Sequence, residues 1–121
     1  MANEITVSLS LNFKKDGSDE TMSVTDLKFN VTGKRFIHNR SNVGATEEAL
    51  DIGDISTGGW FFGINHDDTN FVEIRDATGT GNLVKCKAGE PCCFRMSDDA
   101  SAPFVIADTA ACDFEYLLIE D

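Results

Sequence analysis

Apolar and polar side chains alternate with a period of two through most of this chain, starting near its N-terminus. Ile5, Val7, Leu9, Leu11 and Phe13 alternate with Thr6, Ser8, Ser10 and Asn12, which predicts a strand with one buried and one wetted face. The stretch KKDGSD at 14–19 reads as a turn, with Asp16-Gly17 supplying the positive φ a tight hairpin wants. The returning strand starts with Met22 and Val24, then changes phase to Leu27, Phe29 and Val31. A one-residue phase change inside a strand is what a β-bulge produces.

The heaviest apolar load lies at 52–75, IGDISTGGWFFGINHDDTNFVEIR. A glycine-rich approach leads into an aromatic strand at 60–65, and Asp67-Asp68-Thr69-Asn70 returns it into a second strand at 71–75. Asp and Asn suit such a turn because their side chains bond nearby backbone, and the flanking residues suit a pleated, half-buried surface. The pair is expected to form a hairpin. Trp60, Phe61 and Phe62 could form an exposed ligand platform, but successive strand side chains point to opposite faces, so at most one face is free and core packing is the expected role.

The remaining segments are shorter. Residues 35–39 predict a third strand, and the polar segment 41–48 is ambiguous. A helical turn capped by Thr46 is one reading there, and a strand at 49–52 is the other. DATGTGN at 76–82 reads as a loop, 83–87 and 92–96 as strands joined by AGEP, and 104–107 as a short strand. Residues 112–119 alternate at first and then become apolar on both faces, the pattern of a strand covered on both sides. Eight to nine short strands with no convincing helix predict an all-β fold, an antiparallel β-sandwich or jelly roll, built as one domain over 1–121.

Charge narrows the partners. The chain carries 21 acidic and 10 basic residues, a formal net charge of −11, so it repels nucleic acid and anionic lipid at long range. No apolar run exceeds four residues, so no membrane span is expected. The N-terminus lacks the features of a signal peptide, and a cytoplasmic site of synthesis is the simplest expectation. The basic side chains concentrate at Lys34, Arg35, His38 and Arg40, the candidate contact for an acidic partner surface.

Four cysteines, Cys86, Cys92, Cys93 and Cys112, lack the close paired spacing of structural zinc ligands. They read as buried free thiols acting as small hydrophobes. His66-Asp67-Asp68 offers carboxylate oxygens to a cation but lacks further ligands at defined spacing, so a solvated turn is expected. Gly79-Thr80-Gly81 has no following helix to cradle a phosphate, and Asp98-Asp99 and the scattered Glu residues are numerous enough to give accidental carboxylate pairs. No nucleophile elbow, zinc-protease motif or phosphate loop is present. A non-enzymatic protein without metal or cofactor is the expectation.

From Leu50 onward the chain resembles a group of small structural proteins of tailed bacteriophages. The resemblance rests on IGDISTGGWFF at 52–62, NHDDTNFVEI at 65–74, KCKAGEP at 85–91, CFRM at 93–96 and TAACDFEYLLIED at 109–121, roughly the last seventy residues. The cysteines stand where that group usually carries aliphatic residues. The resemblance implies a β-sandwich virion component, and within that class a capsid decoration or cement protein is expected. Its partners would be the major capsid protein and copies of itself, as a trimer, on the outer capsid surface of a virion assembled in a host cytoplasm. A tail, fibre or receptor-binding component is the alternative. The N-terminal strand and the basic run are the candidate shell contacts.

Overall fold

The computed structural model describes residues 3–75, 83–97 and 103–121. The chain divides into two compact units, Met1–Thr32 and Gly33–Asp121, where the sequence pattern reads as one domain. Among the described residues ten strands form three antiparallel sheets, and no helix is present.

The first unit is a two-stranded ribbon of β1 (Ile5–Lys15) and β2 (Ser18–Phe29). Asp16 and Gly17 occupy its tip with φ of 51° and 86°, the left-handed pair that matches the twist of a two-residue hairpin turn. The expected bulge is present. Val7 pairs with Leu27 and Leu9 with Val24, so Thr25 and Asp26 together oppose Ser8. Asp26 has a φ of 54°, and its amide donates to the Ser8 hydroxyl at 3.0 Å. That extra residue restores the phase. Ile5, Val7, Leu9 and Leu11 lie opposite Phe29, Leu27, Val24 and Met22, and directly opposed side chains share a face.

The second unit contains two four-stranded sheets. One has the order β3 (Phe36–Val43), β10 (Cys112–Glu120), β5 (Gly58–Asn65), β8 (Pro91–Arg95). The other has the order β4 (Glu48–Ala49), β9 (Phe104–Ala107), β6 (Val72–Arg75), β7 (Val84–Cys86). Inward side chains of both sheets form a single core, including Val43, Phe61, Val72, Val105, Phe114 and Tyr116, as in a sandwich. The Phe61 ring stacks on Phe94 at 5.2 Å and on Tyr116 at 5.9 Å between centroids. Glycine at 63 makes room for this cluster, since a Cβ there would stand 2.5 Å from Cζ of Phe114.

The apolar face of β1 and β2, expected to be buried, is largely exposed, from Leu9, Leu11 and Phe13 to Met22, Leu27 and Phe29, because a two-stranded ribbon has no second layer within its own unit. Two further expectations need correction. The segments around 60–65 and 71–75 are not a hairpin: β5 pairs with β10 and β8, and β6 with β7 and β9. Both strands carry buried apolar residues, and placing them in opposite layers lets Phe61 and Val72 enter the core from the two sides. The second correction concerns β10, which keeps a strict alternation. Cys112, Phe114, Tyr116, Leu118 and Glu120 are buried, while Asp113, Glu115, Leu117 and Ile119 are half-buried. Its outer apolar residues sit in the middle of a sheet, where neighbouring strands cover them partly. The ambiguous segment at 41–48 resolves into the end of β3 and the start of β4, without a helical turn. The loop expected at 76–82 and most of the one at 97–102 lie outside the described residues, as do Gly79-Thr80-Gly81 and Asp98-Asp99.

Candidate functional site

The outer face of the β3–β10–β5 sheet gathers the ionisable side chains that the sequence leaves scattered. Alternation puts His38 and Arg40 of β3 outward, and likewise Asp113 and Glu115 of β10. The register sets Arg40 against Glu115 and His38 against Leu117, so the charged pairs that form are diagonal ones. Arg40 donates to Asp113 through Nε at 2.8 Å and Nη2 at 2.6 Å, a bidentate fork. Glu115 is held between two imidazoles: Nε2 of His66 lies 2.7 Å from Oε1 and Nε2 of His38 lies 2.6 Å from Oε2.

These contacts favour the ionised form of both carboxyls. Hydrogen bonds from His66 and then His38 hold the Glu115 carboxyl below the usual range, because bonding to the charged form favours it. The Arg40 bond does the same for Asp113. Beside them a shallow pocket of about 180 Å³ is lined by His38, Phe62, Ile64, Glu115, Tyr116 and Leu117. Both Glu115 oxygens are already engaged, so the row works as a brace across β3, β10 and the turn after β5.

The four basic residues singled out from the sequence are all exposed. Arg35 lies 3.6 Å from Glu120 and donates to the Asp54 carbonyl at 3.2 Å. His38 and Arg40 meet Glu115 and Asp113 as described, and the Lys34 amide donates to Oε1 of Glu120 at 3.4 Å. Most of the run's charge is thus matched by acids of the same chain. Burial pushes the Glu120 carboxyl up, but amides of Ser56, Arg35 and Lys34 outweigh it and leave the group below its ordinary range.

His66-Asp67-Asp68 builds a turn. Oδ2 of Asp67 accepts the amides of Asn70 at 2.7 Å and Thr69 at 3.0 Å, and the Asn70 bond leads in lowering its pKa. Among the described residues no group of three His, Cys, Asp or Glu side chains is placed to hold a metal ion. All four cysteines are free thiols, with Cys86 and Cys112 fully buried. Cys92 packs against the core from β8 while its neighbour Cys93 points the other way. A hydrogen bond to Cys86, with burial, pushes the Cys92 thiol up, so Cys92 keeps its proton. Phe61 is core and Phe62 is exposed at 45%, which splits the aromatic triplet between the two faces.

Sequence reasoning missed two features. The pairing of Asp113 and Glu115 with the basic run joins residues more than seventy positions apart, and only the register reveals it. The other is Asn65, fully buried at the end of β5. Its Nδ2 donates to the carbonyls of Asn70 at 2.9 Å, Cys86 at 3.1 Å and Lys87 at 3.3 Å, and its Oδ1 accepts the Asp67 amide at 2.9 Å. No protein-family model, curated protein or solved structure matches this chain.

Proposed function

We propose that the chain is a non-enzymatic structural protein of a tailed-phage virion, a decoration or cement protein that binds the outer face of the capsid shell and stiffens it. The observation that carries this reading is the nesting of the eight strands of the second unit. β3 pairs with β10, β4 with β9, β5 with β8 and β6 with β7, as though one long antiparallel ribbon had been rolled up. That order supports a jelly roll, an architecture that recurs in viral capsid domains. Fold alone does not dictate function; the phage-like motifs from Leu50 onward supply the rest of the support.

Charge favours an outer position, since a chain of net −11 is repelled by packaged DNA. Its partners on this reading are the major capsid protein and further copies of itself as a trimer, because closed symmetry multiplies weak contacts. Shell binding through Lys34, Arg35, His38 and Arg40 would have to compete with Glu120, Glu115 and Asp113. A tail or receptor-binding component is the second reading, favoured by exposed Phe62 beside its shallow pocket.

The test adds purified full-length chain to phage shells stripped of their outer proteins and sediments them. Saturable binding at a fixed ratio to the shell protein, with greater resistance of the shells to heat, is expected. Chain left in the supernatant at saturating concentration sinks the proposal.

A further inference from the structure

We infer that the apolar face of the N-terminal ribbon is a self-association surface, covered by the same face of further copies of this chain. The inference stands whether or not the chain is a virion component. Register and bulge together place Leu9, Leu11, Phe13, Met22, Leu27 and Phe29 on one face of the ribbon. All six are exposed, Leu11 at 76% and Met22 at 80%. With a phenylalanine offering about 150–250 Å² and leucine and methionine near the lower end of that range, the six at their observed exposures leave on the order of 600 Å² of apolar surface in water. That matches the largest patch of a typical monomer, about 300–600 Å², and approaches the roughly 800 Å² that each partner of a stable complex buries.

The other face is already satisfied. Nδ2 of Asn12 donates to the Glu20 carbonyl at 3.2 Å and to Oδ1 of Asp19 at 3.3 Å, and Ser8 takes the Asp26 amide. A ribbon of two strands is marginal in water until its apolar side is packed. This one runs 11 and 12 residues per strand, and the bulge keeps the apolar side in phase along its length. A device that preserves one-sidedness past a phase change implies something that lies flat on that side.

Two features favour a copy of the chain as the occupant. Residues 3–32 hold five carboxylates and three lysines, so the ribbon carries −2 of the total −11; two ribbons repel one another far less than two of the more acidic second units would. The apolar face also ends in both signs of charge. Lys15 follows Phe13 on that face and Glu20 is Phe13's cross-strand partner, so each copy offers both signs of charge there for a neighbouring copy to match.

Sedimentation velocity on the purified full chain up to about 100 μM, a range that detects micromolar association, tests the inference. The wild type is expected to run as a closed oligomer. Leu11→Lys with Met22→Lys should weaken association about a hundredfold or more, given two apolar side chains lost from the contact. Thr6→Lys with Ser10→Lys, on the opposite face, should leave it intact, and Trp60 fluorescence should confirm that the second unit of each variant is folded. A monomeric wild type overturns the inference, as does any pattern in which the two double variants behave alike.

Discussion

Replacing Asn65 by Asp tests how the sandwich is held together where its two sheets exchange strands. The substitution keeps shape and volume, so no cavity opens, but it removes the donor that serves the carbonyls of Asn70, Cys86 and Lys87. These carbonyls belong to the turn leaving β5, the end of β7 and the turn that follows it, and the same junction is closed by Gly89 donating to the Asn65 carbonyl at 3.0 Å. The amide has two hydrogens, so two strong bonds are lost, and a carboxylate then faces acceptors it repels. A buried polar group left unpaired costs about 1–3 kcal/mol, which puts the loss at about 3–5 kcal/mol, out of the roughly 5–15 kcal/mol by which domains are stable. Urea unfolding at pH 7, followed by Trp60 fluorescence, measures it. The deficit should also depend on pH. An aspartic acid among carbonyls keeps its proton more tightly than in the unfolded chain, and its neutral form can still donate one bond. Its folded pKa is therefore raised, and stability is lost as pH rises through that value. The gap between variant and wild type should widen from pH 5 to 8. A loss under about 1 kcal/mol at pH 7, or a gap that narrows with pH, would refute the hub role of Asn65.

Other consequences can be checked with the same assay. Gly63→Ala drives a methyl to 2.5 Å from Cζ of Phe114 and 3.0 Å from Cε1 of Phe61, and should cost about 1–3 kcal/mol through overpacking; an unchanged thermal midpoint would contradict the packing described. Tyr116→Phe removes the hydroxyl that donates to the Asp51 carbonyl at 2.6 Å and accepts from Nδ2 of Asn39 at 3.3 Å, for a loss of about 1 kcal/mol visible in the urea midpoint. Glu115, Asp113 and Asp67 are all held below their ordinary pKa by bonds made in the folded state. The unfolded chain binds more protons in that window, so their contribution is present above the ordinary carboxylate range and is lost as pH falls through the folded values. Glu115→Gln should flatten the acid limb of a plot of stability against pH, and an identical limb in variant and wild type would rule out the two-imidazole clamp.

How much of this was legible in the chain depends on the reach of each signal. Alternation at Ile5–Phe13, the phase change before Leu27 and the Asp16-Gly17 turn are local, and each appears in the structure where the pattern places it. Pairing partners are not local. A period of two states which side chains face inward but not which strand lies alongside, and so the two apolar strands around the 66–71 turn read as a hairpin. Asn65 reads as a turn residue because only the fold brings the 86–90 turn to its amide. For the same reason His38 and His66 look like separate surface residues until β10 puts Glu115 between them. The amphipathic face of β1 and β2 was visible, but its exposure was not. A one-sided strand normally signals burial within its own chain, and here the large apolar residues remain in water.

The most direct measurement for the central claim, that this is an adhesive β-protein on the exterior of a virion, is a cryo-EM reconstruction of the intact particle. Density for the second unit should lie on the outer shell surface in a copy number comparable with that of the shell protein, with ribbons from neighbouring copies meeting at a symmetry axis. Density confined to the tail, or a mature particle without the chain, would contradict it.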